Sequence, residues 1–489
     1  MMLFSRRGLA RAVVLVSGML GGCAGEPEEK RSTLDVALDG RAPASARIKA
    51  FDELASAADT TTAGPLADRL SEVVWAEGEK PGVRAGAIRS MLEHEATREK
   101  ARVLGKRLLP REEDPEVVRV ICEAVAANDW QDYRPSLVRR AGSGADELRR
   151  PAADALRALA GGQGLEAAVL AEVVNPGVPA GPSGERESVR GQAWALLSTL
   201  VPDRARRAAM LESAAPEARG DGAAVVEALR RAWGGAGVMP ETGSELAWLV
   251  SLSGDEHRAW WDECSRSLGA SSHDRSALAL RHLEPARIAA RSHAAWLTTP
   301  REELLRELAS RVQGRKAVTR EWKGVKPYRE DLSSQAERLS AWDVIAILLI
   351  DEALADARTR AALAEQVRVD RRDAKSEYGG LLMALALDAP RAVPVLFPPR
   401  ANERQGDYEF VAPRDMLRAD RALAHYHFHG AKGRSDEYAG PSEGDLAYAE
   451  MHRRTCLVLT SVRGERLAAD CYLPGNVVID LGVLGTAGE

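Results

Sequence analysis

The first two thirds of the chain alternate helical stretches rich in Ala, Leu, Val and Arg with short breaks of Gly, Pro and Asp. An apolar residue followed by Arg recurs in this part, at intervals of 35, 30 and 41 residues. The four pairs are Val83-Arg84, Val118-Arg119, Leu148-Arg149 and Val189-Arg190. Small or apolar residues follow each Arg at the third and seventh positions, which lie on one face of a helix. The pattern predicts stacked helix pairs, each of which buries its apolar face against its neighbours.

This loose repeat, over residues 34–235, resembles HEAT-type repeats, and the resemblance implies an all-α solenoid. An irregular all-α domain is the alternative. Residues 236–312 continue the helical pattern, and residues 313–340 have the composition of a polar linker. The Trp residues of 236–312 favour core packing over a ligand surface, and its His residues lack the spacing of a metal pair. They are Trp248, Trp260, Trp261, Trp296, His257, His273, His282 and His293.

The pattern changes near Ala341, where apolar runs of strand length begin. Residues 341–365 predict one long helix, and shorter helices are expected over 413–419 and 442–453. Strands are expected over residues 375–383, 393–397, 408–411, 421–429, 455–461, 467–473 and 477–481. Residues 341–489 are therefore predicted to form an α/β domain with a mixed sheet.

The candidate chemistry lies in this α/β part. In His427-Phe428-His429 the strand period of two sends both imidazoles to one face of the sheet. Asp445, at the start of the next helix, can supply a third ligand to the same ion. Three protein ligands leave the fourth position of a tetrahedral zinc ion for water, which a catalytic site requires.

The order of these residues resembles the signature of JAMM (MPN-type) zinc metallopeptidases. The matching pieces are Glu377-x-x-Gly380-x-Leu382, His427-x-His429 and Ser442-x-x-Asp445, within residues 341–489. The resemblance implies a cytidine-deaminase-like α/β fold in which zinc is bound by His427, His429 and Asp445. It also implies that Glu377 is the general base and that Ser442 donates a hydrogen bond to the tetrahedral intermediate.

Two positions depart from the family pattern. Gly430 follows the second His where the family usually has Pro, and the loop from there to Ser442 is longer than usual. This loop contains Asp436, Glu437 and Tyr438, which either shape a substrate groove or block it.

Each piece also has a purely structural interpretation. Ser442-x-x-Asp445 is an ordinary helix-capping pattern, alternating His residues can face solvent, and Glu377 can be a charge at a strand edge. His425 shares the face of His427 and is an alternative or supporting ligand, whereas His452 is expected on the surface of a helix.

The N-terminus resembles a bacterial export signal that ends at a lipid-attachment site. Arg6 and Arg7 precede an apolar run too short to span a bilayer, and Leu20-Gly21-Gly22-Cys23 is similar to a lipobox. We expect a signal peptide over residues 1–22 and a lipid-attached linker over 23–33. A cleaved signal with an incidental Cys is the alternative, and export by the general or the twin-arginine route stays open.

The remaining cysteines and the net charge add little chemistry. Cys122 and Cys264 are expected to be small buried residues. A hairpin predicted about residues 463–464 places Cys456 opposite Cys471, so a disulfide is open in an exported protein, although a bulge would shift that register. The net charge of −5 does not suggest a nucleic-acid partner, because domains that bind nucleic acid are usually strongly basic.

The sequence thus predicts an exported, lipid-anchored zinc hydrolase that cleaves amide or isopeptide bonds with zinc-activated water. Its substrate would be a peptide or a protein conjugate, and its helical repeats would bind that substrate or a protein partner. A non-catalytic repeat scaffold with an inactive JAMM-like domain is the main alternative. A helical binding module with an incidental His cluster is the third interpretation.

The anchoring prediction rests on one thiol. Cys23→Ser should move the protein from the membrane fraction to the soluble fraction, because the apolar run before it cannot span a bilayer. Ser17→Ala, in the same signal, should leave the protein on membranes. A Cys23→Ser protein that resists a carbonate wash would show that another anchor exists.

Overall fold

The computed structural model describes residues 32–59, 61–76, 78–178, 184–318, 330–373, 375–384, 392–402, 404, 410–418, 421–430, 436–462 and 466–485. The chain divides into two compact units, Met1–Leu104 and Gly105–Glu489. The predicted signal peptide and Cys23 lie outside the described residues. Below, residues 105–312 are called the helical segment and residues 341–485 the sheet domain; both belong to the second unit.

The described residues contain 21 α-helices. Up to residue 108 they are α1 (Thr33–Leu38), α2 (Ala44–Ala57), α3 (Ala63–Trp75), α4 (Pro81–Glu93) and α5 (Glu95–Leu108). Those of the rest of the helical segment are α6 (Pro115–Ala127), α7 (Arg134–Ala141), α8 (Asp146–Leu159), α9 (Leu165–Val174), α10 (Glu185–Leu200), α11 (Arg204–Ala214), α12 (Asp221–Ala236), α13 (Gly243–Ser251), α14 (Arg258–Gly269), α15 (Leu283–Ser292) and α16 (Arg301–Val312). The last five are α17 (Leu332–Gln335), α18 (Ala341–Ala355), α19 (Ala357–Asp370), α20 (Arg414–Arg418) and α21 (Glu443–His452).

The recurring Arg has a structural role at two of its four predicted positions. Nε of Arg84 donates to the carbonyl of Val74 at 2.7 Å, and Nε of Arg190 donates to the carbonyl of Val173 at 2.8 Å. Both carbonyls lie in the last turn of the preceding helix, where backbone acceptors lack an intrahelical partner. The other two Arg residues are exposed. The residues three positions after each Arg are all buried, as the helical face predicted: Ala87, Cys122, Ala152 and Ala193.

The Trp residues of 236–312 are core residues, which confirms that prediction. All four are at most 6% exposed, and indole nitrogens donate within the fold, as from Trp260 to Glu284 at 2.6 Å and from Trp261 to Leu252 at 2.7 Å. Cys264 is buried among them, as expected.

Six strands form one sheet within the described part of the sheet domain. They are β1 (Gly379–Ala384), β2 (Ala392–Phe397), β3 (Ala422–His429), β4 (Cys456–Val462), β5 (Arg466–Leu473) and β6 (Val477–Val483), in the order β2-β1-β3-β4-β5-β6. β3 and β4 are parallel and all other neighbours are antiparallel, so the sheet is mixed, as predicted. A helical region followed by an α/β domain is therefore the architecture of the chain.

Two predicted elements differ from the structure. The long helix expected over 341–365 is two helices, because the chain turns at Asp356, whose carboxylate accepts from the amides of Arg358 and Thr359 at the start of α19. The strand expected over 408–411 lies partly outside the described residues, and its described end, Phe410-Val411, is not in a strand.

The β4–β5 hairpin exists, but its register excludes the disulfide. Cys456 pairs with Tyr472, and Cys471 pairs with Leu457, one position away from the predicted alignment. Because residues alternate between the two faces of a strand, Cys471 points away from the face that carries Cys456. Both thiols are free and buried. The turn residues 463–465 lie outside the described residues.

A buried carboxylate joins α18 to the helical segment. Oδ1 of Asp343 accepts from Nη2 of Arg281 at 3.0 Å and from Nε2 of His282 at 2.8 Å, while Oδ2 accepts from the hydroxyl of Ser340 at 2.6 Å. Nδ1 of His282 accepts from the amide of Ala279 at 3.0 Å, so its Nε2 carries the hydrogen. Burial lowers the pKa of His282, which is consistent with this neutral ring.

Helix α21 and the residue pair that follows it pack on α13 of the helical segment. Nη2 of Arg453 lies 2.6 Å from Oε2 of Glu241, and the guanidinium of Arg454 lies 3.2 Å from the ring centroid of Trp248. Arg454 is 2% exposed, so this cation–π contact is shielded from water.

His452 belongs to the same contact, so its predicted surface position was wrong. It is half-buried, and its Nδ1 is hydrogen-bonded to Oγ of Ser244. Burial lowers the pKa of His452 to about 4, so the ring is neutral at neutral pH.

No helix in the described parts of the chain is long and apolar enough to cross a membrane.

Removing the Asp343 carboxylate should destabilise the second unit. Asp343→Ala leaves the partly buried Arg281 without its counter-charge, and losing one partner of a buried ion pair costs up to about 3–5 kcal/mol. Asp255→Ala, which removes an exposed carboxylate paired with Arg258, should cost less than about 1 kcal/mol. Urea unfolding followed by Trp fluorescence measures both; equal effects would contradict the assigned role of Asp343.

Candidate metal centre

Sheet topology brings the candidate residues together at the C-terminal end of β3. β3 and β4 are parallel, and the chain between them includes α21, so the end of β3 lies near the start of that helix. β1 is antiparallel to β3, and Gly379 at its start pairs with His427 near the end of β3. Glu377 therefore enters beside the two His residues, and Ser442 and Asp445 face them from α21.

Both imidazoles lie on one face of β3, as predicted. Their Nε2 atoms are 3.3 Å apart, and His427 is only 2% exposed. The ring of Phe410 stacks against that of His427, with centroids 5.9 Å apart and planes 4° apart. This packing limits rotation of the His427 ring.

A backbone carbonyl orients the second imidazole. Nδ1 of His429 lies 2.7 Å from the carbonyl oxygen of Tyr438. Because that oxygen can only accept, Nδ1 carries the hydrogen, and Nε2 is the nitrogen that faces His427. A ligating His is commonly held in this way through its second nitrogen.

The third donor comes from the capped start of α21. Oδ1 of Asp445 lies 3.2 Å from Nε2 of His427, and Oδ2 lies 3.7 Å from Nε2 of His429. Ser442 caps the helix, with its Oγ 3.2 Å from the amide of Asp445, whose Oδ2 accepts from the Ser442 amide at 2.7 Å. The capping interpretation is therefore correct, and the same cap aims the Asp445 carboxylate at the imidazoles.

Glu377 supplies a second carboxylate. Ligand atoms of Glu377, His427 and His429 all lie within 4.8 Å of one another, which is compatible with holding a metal ion. The two imidazoles are thus shared by two carboxylates, Glu377 and Asp445.

The spacing of the donors fits a small tetrahedral cation. Donors at about 2.0–2.1 Å from one ion are about 3.3 Å apart in tetrahedral geometry. The separations among His427, His429 and Asp445 are 3.3, 3.2 and 3.7 Å. Two imidazole nitrogens with carboxylate oxygens are a donor set that suits zinc.

Charge pairing dominates the electrostatics of the group. Burial alone would raise the pKa of Asp445, but the neighbouring imidazoles hold it well below its usual range. Burial alone would lower the pKa of His427, but Asp445 and Glu377 raise it. A metal ion would compete with protons for the same nitrogens, so its binding weakens as pH falls.

Helix α19 explains the Gly at position 430. A Cβ added there would lie 2.6 Å from Cγ2 of Val367 and 2.7 Å from Oδ2 of Asp370. The end of α19 therefore occupies the space that a Pro ring or any side chain would need. Sequence reasoning ended this helix at residue 365 and missed Asp370 and Arg371; the departure at Gly430 was the available signal.

Two further predicted positions have other roles. His425 is buried, and its Nδ1 lies 2.8 Å from the hydroxyl of Tyr448. Of the loop residues proposed to shape a groove, Tyr438 ends the 3-10 helix Asp436–Tyr438 and orients His429 through its carbonyl. Its side chain is 39% exposed beside the site.

Comparisons of the chain with protein-family models, with curated proteins and with solved structures gave no match.

The cluster should bind one zinc ion per chain through His427. His427→Ala removes a donor at the centre of the group and should lower zinc affinity at least about 100-fold. Removing a residue that only supports a ligand already lowers metal affinity by up to about 100-fold. His425→Ala, two residues earlier on the same strand face, is the matched control and should retain zinc. Competition with a chromogenic chelator measures both, and equal affinities would exclude this centre.

Proposed function

We propose that this protein is an exported, lipid-anchored zinc hydrolase of the JAMM type that cleaves amide or isopeptide bonds. One observation carries the proposal: the start of β1, the end of β3 and the start of α21 bring Glu377, the two imidazoles and Asp445 together. These residues follow one another along the chain in the order of the JAMM signature. Glu377 lies just before β1, the two His residues lie at the end of β3, and Asp445 lies in the first turn of α21. A mixed sheet flanked by helices supports a JAMM-like, cytidine-deaminase-like fold for the sheet domain.

In this proposal His427, His429 and Asp445 hold the zinc ion. Zinc supplies Lewis acidity, which lowers the pKa of water and polarises the scissile carbonyl. Glu377 takes a proton from the attacking water and returns it to the leaving amine nitrogen, so the carboxylate is regenerated in each cycle. The Ser442 hydroxyl accepts from the Asp445 amide and keeps its hydrogen to donate to the developing oxyanion.

The helical part of the chain would bind the substrate or a protein partner as a HEAT-like array. The contact of Ser244 in α13 with His452 at the end of α21 supports this arrangement, because α21 also carries Asp445. Cleavage would take place outside the cytoplasm, at the membrane surface to which a lipid on Cys23 holds the protein.

One observation favours the non-catalytic alternative. Ligand atoms of Glu377 lie within 4.8 Å of both imidazoles, so Glu377 could itself ligate the ion beside Asp445. Four protein ligands close a tetrahedral site and are typical of structural zinc, whereas three leave a position for the substrate. The role of Glu377 therefore separates a hydrolase from a metal-stabilised scaffold.

Glu377→Gln should distinguish the two functions. As a general base, Glu377 is needed for proton transfer alone, so the variant should keep zinc and lose hydrolysis by about 100-fold or more. Glu443→Gln, which changes an exposed carboxylate in the first turn of α21, should leave both properties unchanged. Zinc affinity and hydrolysis of a panel of peptide and isopeptide substrates are the readouts. A Glu377→Gln protein that loses zinc as His427→Ala does would assign Glu377 as a ligand and contradict the hydrolase.

A further inference from the structure

We infer that Arg371 is a positioning residue, which acts with Asp370 to hold both ligand-bearing segments of the metal centre from the end of α19. The inference rests on the proposed metal function, since it concerns the same site. Neither residue belongs to the JAMM-like motif pieces, and Arg371 makes its contacts with the backbone and with Ser461.

Asp370 holds the segment that carries Glu377. Its Oδ1 accepts from the amide of Tyr378 at 2.8 Å, and the carbonyl of Tyr378 accepts from the amide of Phe428 at 3.0 Å. Asp370 is 1% exposed, so the first of these hydrogen bonds is shielded from water. The backbone next to Glu377 is thereby fixed both to α19 and to β3, between the two His residues.

Arg371 holds the segment that follows His429. Its Nε donates to the carbonyl of Gly430 at 3.1 Å, and its Nη2 donates to Oγ of Ser461 at 2.8 Å. Ser461 is fully buried on β4, next to Thr460, the register partner of His429. The planar guanidinium thus bridges the ends of two parallel strands, and Lys cannot reproduce two such bonds in a fixed fork.

Close packing makes the clamp that Asp370 and Arg371 form stiff. The end of α19 lies so near Gly430 that no Cβ fits between them. His429, the residue before Gly430, has its Nε2 3.3 Å from that of His427 and its Nδ1 2.7 Å from the carbonyl oxygen of Tyr438. Metal affinity is sensitive to such support, because displaced donors no longer match the ion's short bonds.

Substitution of Arg371 in the full chain tests the inference. Arg371→Ala should weaken zinc binding by about 10- to 100-fold, the range for residues that orient ligands. Arg371→Lys should give a smaller loss in the same direction and decides the question if the Ala variant does not fold. The matched control is Arg368→Ala, which removes an exposed Arg of the same helix that pairs with Glu365 at 3.1 Å, and it should keep the wild-type affinity.

A metal-independent readout separates this inference from the proposed function. In the protein stripped of metal by a chelator, Arg371→Ala should speed hydrogen exchange at the Phe428 amide, and NMR should show His429 losing its preference for a hydrogen on Nδ1. Arg368→Ala should change neither. These shifts would support the clamp even if the wild-type protein bound no zinc, a result that would refute only the proposed function. Unchanged exchange, tautomer and zinc affinity in folded Arg371→Ala or Arg371→Lys would overturn the inference.

Discussion

Nε2 of His427 lies 3.2 Å from Oδ1 of Asp445, and His427 is only 2% exposed to solvent. Burying an ionisable group without a partner costs several kcal/mol, so each of these side chains requires the other or a cation. The neighbouring elements are arranged around this requirement. β3 presents the imidazole, the capped start of α21 presents the carboxylate, and the parallel pairing of β3 with β4 brings the two together.

Local pattern was enough to predict most of the sheet domain. The period of two at residues 425–429 predicted a strand with its imidazoles on one face, and the Ser442 cap predicted the start of α21. Each prediction depends on residues close in sequence, whose geometry the backbone dictates. The strand period and the start of the next helix also suggested that His427, His429 and Asp445 share one site, whereas the place of Glu377 beside them was expected only from resemblance to a known motif order.

Features set by the hairpin turn and by distant contacts could not be predicted. Cys456 and Cys471 were expected to face each other, but the hairpin register depends on a turn whose length the pattern did not reveal. His452 is a polar residue at the end of a helix, which favours a surface position. It is instead covered by α13, whose Ser244 lies about 200 positions earlier in the chain. The role of Arg371 was hidden for the same reason, because its partners Gly430 and Ser461 lie on other elements.

The helical segment contacts the sheet domain at two places. At one contact Asp343 accepts hydrogen bonds from Arg281 and His282. At the other, the two Arg residues that directly follow α21 contact Glu241 and Trp248. The ten-residue helix α21 links that second contact to Asp445. The helical segment therefore contacts the helix that carries Asp445, which gives it a direct physical route to the candidate site.

X-ray absorption at the zinc edge of the full-length protein tests directly whether His427, His429 and Asp445 hold a zinc ion. We expect one zinc per chain, bound only by nitrogen and oxygen donors at about 2.0–2.1 Å, with the multiple-scattering signal of two imidazoles. A sulfur donor at about 2.3 Å, the signal of fewer than two imidazoles, or no stoichiometric zinc would contradict it.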